Sequence, residues 1–165
     1  MPSALITGTS QGLGRALAER LLADGWTVHG FARGAQTLAH DRFRAHVVDV
    51  TDENAVRAAV AIVAEAGRID LLVNNAGTSQ AKDIFDSTLQ DWQYIIDTNL
   101  TSCFLCSKEA MNLMAKQHSG RIINISSVVG ERGALFGHVH YAATKSGMLG
   151  MTKTLARTGA PLGIT

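Results

Sequence analysis

The apolar run Ala4-Leu5-Ile6-Thr7 stops at Gly8, and the turn Gly8-Thr9-Ser10-Gln11-Gly12-Leu13-Gly14 leads straight into a stretch of helical period. This junction limits the fold more than any other feature of the chain. A short buried strand followed at once by a helix points to a crossover connection and to parallel pairing with the next strand. Glycines in such a turn supply positive φ and let backbone N–H groups approach a ligand closely. The helix N-terminus behind them favours negative charge. Between a strand and a helix, the spacing G-x-x-x-G-x-G reads as a cradle for the pyrophosphate of a dinucleotide. A tight turn without a ligand would use the same glycines, so the reading depends on residues farther along the chain. The candidate cofactor contacts here are Gly8, Ser10, Gln11, Gly12, Leu13 and Gly14.

The rest of the chain keeps the alternation. Leu13 to Ala23 reads as a helix, with Leu13, Leu17 and Leu21 at i, i+4 and i+8 and Arg15, Glu19 and Arg20 on other faces. Strands are expected at 27–32, 45–50, 69–74 and 121–126. Asp52 is placed to cap a helix over 53–66 with Val56, Val60 and Val63 apolar, and Gly67 to close it. A long helix is expected from about Asp91 to Gln117, and another around Tyr141 to about Arg157. Strands spaced by helices of this length call for a parallel sheet covered on both faces. The expected fold is one doubly wound α/β domain over residues 1–165, of the Rossmann type.

Composition excludes several function classes. A net charge of +1 leaves no electrostatic footprint for nucleic acid or an anionic membrane. No apolar run reaches the ~18 residues of a membrane span, and the N-terminal residues lack a signal-peptide pattern, so a cytoplasmic protein is expected. Cys103 and Cys106 form a C-x-x-C inside a helical run, away from the helix-start setting that activates a thiol, and read as buried packing residues. The 6 histidines show no ligand spacing with Cys or carboxylate partners, so no metal is expected.

Cofactor choice is read near the end of the second strand. Chains of this type that take NAD place Asp or Glu about 20 residues after the glycines, on the ribose 2′-hydroxyl. Here Phe31-Ala32-Arg33-Gly34 offers no carboxylate, and the planar Arg33 guanidinium suits a 2′-phosphate. NADP(H) is therefore favoured over NAD(H).

Tyr141 and Lys145 stand four residues apart, on one face of a helix. A free phenol titrates near ~10, and a neighbouring ammonium favours its ionised form. The pair reads as an acid/base group held on a rigid element. Y-x-x-x-K also arises by chance in many helices, and its weight comes from the motifs that precede it.

Taken together, Thr7-Gly8-x3-Gly12-x-Gly14, Asp49-Val50, Asn74-Asn75-Ala76-Gly77, Asn99, Ile125-Ser126-Ser127-Val128 and Tyr141-x3-Lys145 resemble the short-chain dehydrogenase/reductase family. Within it, the chain is most similar to the 3-oxoacyl-(acyl carrier protein) reductase branch. The resemblance implies a hydride transfer between a nicotinamide and a carbonyl or secondary alcohol. Tyr141 would be the acid/base, Lys145 would tune it and hold the nicotinamide ribose, and both would touch the cofactor. Ser127, rather than Ser126, would donate to the reacting oxygen, and Asn99 would hold a water linking Lys145 to solvent. Asp49 and Val50 would border the adenine, Asn75, Ala76 and Gly77 the adenosine ribose, and Asn74 would brace the sheet. Homodimers or homotetramers through the two long helices are also implied.

Two departures from the family pattern stand out. Ser127 lies one position farther from Tyr141 than is usual in the closest reductases, so the segment 131–140 is expected to bulge on the substrate side, with Phe136, His138 and His140 as candidate substrate contacts. Family members also continue beyond Thr165 into further strands and a substrate lid, so the chain reads as a C-terminally truncated form or a piece of a longer protein. A non-catalytic nucleotide-binding or interaction module is the alternative that this ending leaves open. The small-molecule substrate itself is not legible.

Overall fold

A computed structural model describes residues 1–165. Five strands, β1 (Ser3–Thr7), β2 (Thr27–Ala32), β3 (Phe43–Val47), β4 (Leu71–Asn74) and β5 (Arg121–Asn124), form one sheet in the order β3-β2-β1-β4-β5. Every pairing is parallel, with Leu5 opposite His29 and Leu72, for example. The order reverses direction at β1, which is the doubly wound arrangement expected from the sequence. Ile164 pairs parallel with Gly120, and the Ile122 amide donates to the Thr165 carbonyl, so the last residues run beside β5.

The central strand β1 is buried along its whole length, as a strand covered on both faces must be. Its side chains alternate between two cores. Leu5, with Phe31 and Leu72, joins a 15-residue cluster under α2 (Glu53–Glu65) and α4 (Ser102–Gln117). Ala4 and Ile6, with Val28 and Val73, join an 8-residue cluster under α1 (Gly12–Ala23). Helices on opposite faces of the sheet follow from this alternation.

Several local expectations need correction. The inward face of α1 is Gly14, Ala18 and Leu22, one position on from the leucine stripe, and Leu13 is 53% exposed. The small residues let α1 sit close to the turn, because a side chain at Gly14 would collide with the Gly8 carbonyl. The third strand ends at Val47; Val48 and Val50 are buried, which mimics a strand pattern, but they lie in the connection to α2. The fourth strand starts at Leu71, two residues late, and the fifth ends at Asn124, two residues early.

The expected long helix is three pieces. α3 (Leu89–Ile96) is capped by Thr88, which exchanges hydrogen bonds with Asp91. A π-helical segment follows at Asp97–Thr101, and then α4. Such bulges tend to mark functional positions, and this one carries Asn99. Beyond β5 come the short α5 (Val129–Arg132) and the long α6 (Val139–Gly159), which starts two residues before Tyr141. Asp52 caps α2 as expected, accepting from the Asn54 and Ala55 amides at 2.8 and 3.0 Å.

Candidate active site

At the C-terminal ends of the strands a cleft of about 440 Å³ opens beside the glycine turn. Gly8 and Gly12 hold φ of 77° and 59°, the left-handed conformations that made glycine the expected residue there. Gln11 precedes α1 without giving it a side-chain cap, and the first turn has no acidic residue. The amides of that turn therefore lack a protein partner on the cleft side, a fit for the anionic centre of a dinucleotide. Gly8, Ser10, Gln11, Gly12, Arg33, Asp49, Val50, Asn75, Ala76 and Gly77 all line this cleft.

Leu13, Gly14, Tyr141 and Lys145, also expected to touch the cofactor, do not. Gly14 is a packing residue beneath Gly8, and Leu13 turns its side chain outward, leaving only its backbone amide to offer a ligand. Phe31, Ala32, Val48, Thr51, Thr78 and Thr98 line the cleft without having been singled out. Phe31 and Ala32 close β2 just before Arg33, and Val48 stands just before Asp49, so the neighbours of the expected contacts carried the signal. Thr98 is aimed by the π-helical segment, which has no sequence signature.

Hydrogen bonds fasten the turn to β4. The Thr7 hydroxyl accepts from the amides of Asn75 and Ala76 at 3.0 and 2.9 Å, and Asn75 Nδ2 donates to the Thr7 carbonyl at 2.9 Å. Asn74 braces the sheet, donating to Ser107 Oγ at 2.9 Å and to Asn124 Oδ1 across the β4–β5 pair at 2.8 Å. Asp49 accepts from the Thr51 amide and hydroxyl, and these bonds, helped by the nearby Arg33 charge, hold its carboxyl below the ordinary range. The exposed Arg33 and the ionised Asp49 thus share one wall of the cleft.

The far end of the cleft meets the second group of expected residues. A Cβ placed on Gly77 would lie 3.2 Å from Asn99 Oδ1 and 3.8 Å from Lys145 Nζ. Asn99 is fully buried and clamps Thr78 at both backbone groups, accepting from its amide and donating to its carbonyl at 2.8 Å each. A weaker bond runs from Asn99 Nδ2 to Thr144 Oγ1 at 3.3 Å, on α6.

Lys145 is 5% exposed, its Nζ donates to the Ile125 carbonyl at 2.6 Å, and it lies 5.6 Å from the centre of the Tyr141 ring. Burial pushes this ammonium below the ordinary lysine range, against the opposing pull of the Cys103 thiol. Ser126 donates to the Lys145 carbonyl at 3.0 Å, and Ser146 donates to the Gly130 carbonyl at 2.6 Å, which ties α6 to the segment after β5. The Ser127 hydroxyl receives only a long contact from the Val129 amide at 3.4 Å. Ser126 is therefore committed to structure, and Ser127 keeps a proton to donate.

On the other side of Tyr141 stand two of the candidate substrate contacts, His138 and His140, and of these His140 is fully buried and does not face a substrate. The His138 and Tyr141 rings meet edge to face, 6.2 Å apart. His140 is fully buried behind them, near the ion pair of Lys82 and Asp91 (2.6 Å). Leu135 and Phe136, in the middle of the segment 131–140, are almost fully exposed. Cys103 and Cys106 are free and buried, and burial raises both thiols to about 12, which leaves them unreactive. No group of three or more His, Cys, Asp or Glu is placed to hold a metal, and no helix is long and apolar enough to cross a membrane.

Comparison with known proteins agrees with this geometry. The family described as short chain dehydrogenase matches residues 2–165. The chain is 44% identical over 170 residues to the 3-oxoacyl-[acyl-carrier-protein] reductase of Escherichia coli, spanning 98% of this chain and 69% of the relative. It is 41% identical to the reductase of that name from Synechocystis, of which it spans 70%. The crystal structure of a short-chain dehydrogenase from Streptomyces avermitilis superposes with a TM-score of 0.92 at 33% identity, over 99% of this chain and 64% of that one. The chain belongs to the short-chain dehydrogenase family, NAD(P)-dependent oxidoreductases that interconvert C=O and CH–OH groups.

Proposed function

We propose that the protein is an NADP(H)-dependent reductase or dehydrogenase in which Tyr141 is the acid/base. The observation that carries this reading is the continuity of the site: the cleft beside the glycine turn extends to Gly77, which lies against Asn99 and Lys145. A bound nicotinamide supplies or takes up the hydride. The chain's own residues manage the proton and the charge on oxygen.

In the reducing direction Tyr141 gives its hydroxyl proton to the carbonyl oxygen as that oxygen gains charge. Ser127 donates a hydrogen bond to the same oxygen, stabilising the developing charge from a fixed position. The Lys145 ammonium favours the phenolate left behind and would hold the nicotinamide ribose. Asn99 holds Thr78 and so fixes the segment after Gly77 against Lys145. Arg33 would pair with the 2′-phosphate, and Asp49 and Val50, which line the same cleft, would border the adenine. The α1 amides, with Ser10, Gln11 and Gly12 beside them, would hold the pyrophosphate.

The relatives named 3-oxoacyl-[acyl-carrier-protein] reductases make a 3-oxoacyl thioester the first substrate to try. Two free thiols fit a cytoplasmic setting, and Phe104, 49% exposed on α4, fits pairing of two copies through α4 and α6 into a homodimer or homotetramer. The test is NADPH oxidation with a panel of 3-oxoacyl thioesters and simple ketones. Turnover with any of them supports the reading, and a well-folded chain that binds NADPH and reduces none of them opposes it.

A further inference from the structure

The first amides of a helix have no intrahelical acceptor and need another partner. At the start of α6 the preceding residue, His138, gives no side-chain cap. The first regular bond runs from the Ala142 amide to the His138 carbonyl at 2.9 Å, so the Tyr141 amide falls among the orphans. Its partner is the imidazole next door: Tyr141 N donates to His140 Nδ1 at 2.9 Å. His140 is fully buried, and its other nitrogen, Nε2, has no partner.

We propose that His140 is a positioning residue for Tyr141: the neutral imidazole holds the Tyr141 amide at the start of α6, and taking up a proton at Nδ1 releases it. The proposal rests on the reading of Tyr141 as the acid/base. An accepting Nδ1 places the proton of the neutral ring on Nε2. A doubly protonated ring has no acceptor left, so the amide loses its partner and the phenol loses its fixed mount one turn below Lys145.

The groups facing His140 bear on when this happens. Asp91 of α3 favours its protonated form, while Lys82 and His138 oppose it, and Asp91 is already neutralised by Lys82 at 2.6 Å. Burial is the largest influence, and it keeps the ring neutral to a lower pH than an ordinary histidine. The hydrogen bond from the Tyr141 amide to His140 Nδ1 is therefore intact at neutral pH and is lost as pH falls through that lowered value.

Two variants and one spectrum test this. His140→Asn keeps an oxygen that can accept the amide and cannot titrate near neutrality. It should retain near wild-type kcat at neutral pH and lose the acid limb of the kcat profile. His140→Leu has no acceptor and should lose roughly 10²-fold in kcat at neutral pH, a deficit that narrows as pH falls and the wild-type ring takes up its proton, with KM for NADPH unchanged. An Asn variant that keeps the full acid limb, or a Leu variant with wild-type kcat, overturns the proposal. If His140→Leu does not fold, the Asn variant decides. The third readout needs no turnover: the Tyr141 amide resonance in nitrogen-15 NMR of the whole chain should shift as the His140 ring titrates, and the shift should vanish in His140→Asn. A still amide overturns the proposal, whereas a shifting amide in a chain without turnover removes only the reductase reading.

Discussion

The Lys145 ammonium lies 5.6 Å from the centre of the Tyr141 ring while its protons engage the Ile125 carbonyl at 2.6 Å. The cation is thus anchored by the backbone after β5, and its place beside the phenol does not depend on the flexible lysine stem. Tyr141→Phe removes the hydroxyl and leaves the ring packing intact. It should lower kcat by roughly 10²–10⁴-fold with NADPH affinity and thermal midpoint unchanged. Loss of affinity along with kcat would indicate that Tyr141 shapes the site and does not carry the proton.

Asn99 satisfies both backbone groups of Thr78 from a fully buried position. In Asn99→Ala these groups lose their partners, at about 1–3 kcal/mol for a buried polar group left unpaired. Denaturant unfolding should show a loss of that size. kcat should fall as well, because the segment after Gly77 is freed from Lys145. An unchanged unfolding midpoint would mean that water replaces the amide without cost.

Gly14 is tested by adding one methyl group. A Cβ there would collide with the Gly8 carbonyl and crowd the Asn75 amide, both backbone or tightly held. Gly14→Ala should destabilise the fold by about 1–3 kcal/mol, the usual range for overpacking, and weaken NADPH binding by displacing the turn. The matching change at Gly34, where a Cβ meets nothing within 4 Å, should leave stability nearly unchanged.

His29 and His46 predict acid sensitivity. Their ring nitrogens are 3.1 Å apart on neighbouring strands, and burial, then the His46 and Arg44 charges, lowers His29 from 6.5 to about 4. Burial lowers His46 too. Below the ordinary value the unfolded chain binds a proton that the folded chain refuses, so stability is complete above 6.5 and declines as pH falls towards 4. Unfolding free energy should drop by roughly 2 kcal/mol between pH 7 and pH 5. His29→Gln should remove much of that slope, and an equal slope in the variant would assign it to other groups.

The legible parts of the fold are those where one residue type has one physical reason to be there. Gly8 and Gly12 need positive φ, Asp52 caps a helix, and the centre of β1, Ala4 to Ile6, reads as apolar because both faces are covered. The displaced parts are those where tertiary packing chose among equivalent patterns. The leucines of α1 form a good stripe, but the close approach of Gly14 to Gly8 rotates the helix so that Ala18 and Leu22 face inward. Val48 and Val50 are buried like strand residues while belonging to a connection. The π-helical turn at Asp97–Thr101 and the imidazole bond to the Tyr141 amide depend on backbone geometry that no spacing encodes.

Titration of the protein with NADPH and NADH, following nicotinamide fluorescence, for wild type and Arg33→Asp, tests the cofactor site and its selectivity most directly. Wild type should bind saturably and prefer NADPH, and the variant should shift towards NADH as a carboxylate replaces the guanidinium beside the ribose. Equal affinity for the two cofactors, or a preference that Arg33→Asp leaves untouched, would contradict the assignment of Arg33, and saturable binding of neither would contradict the cofactor site itself.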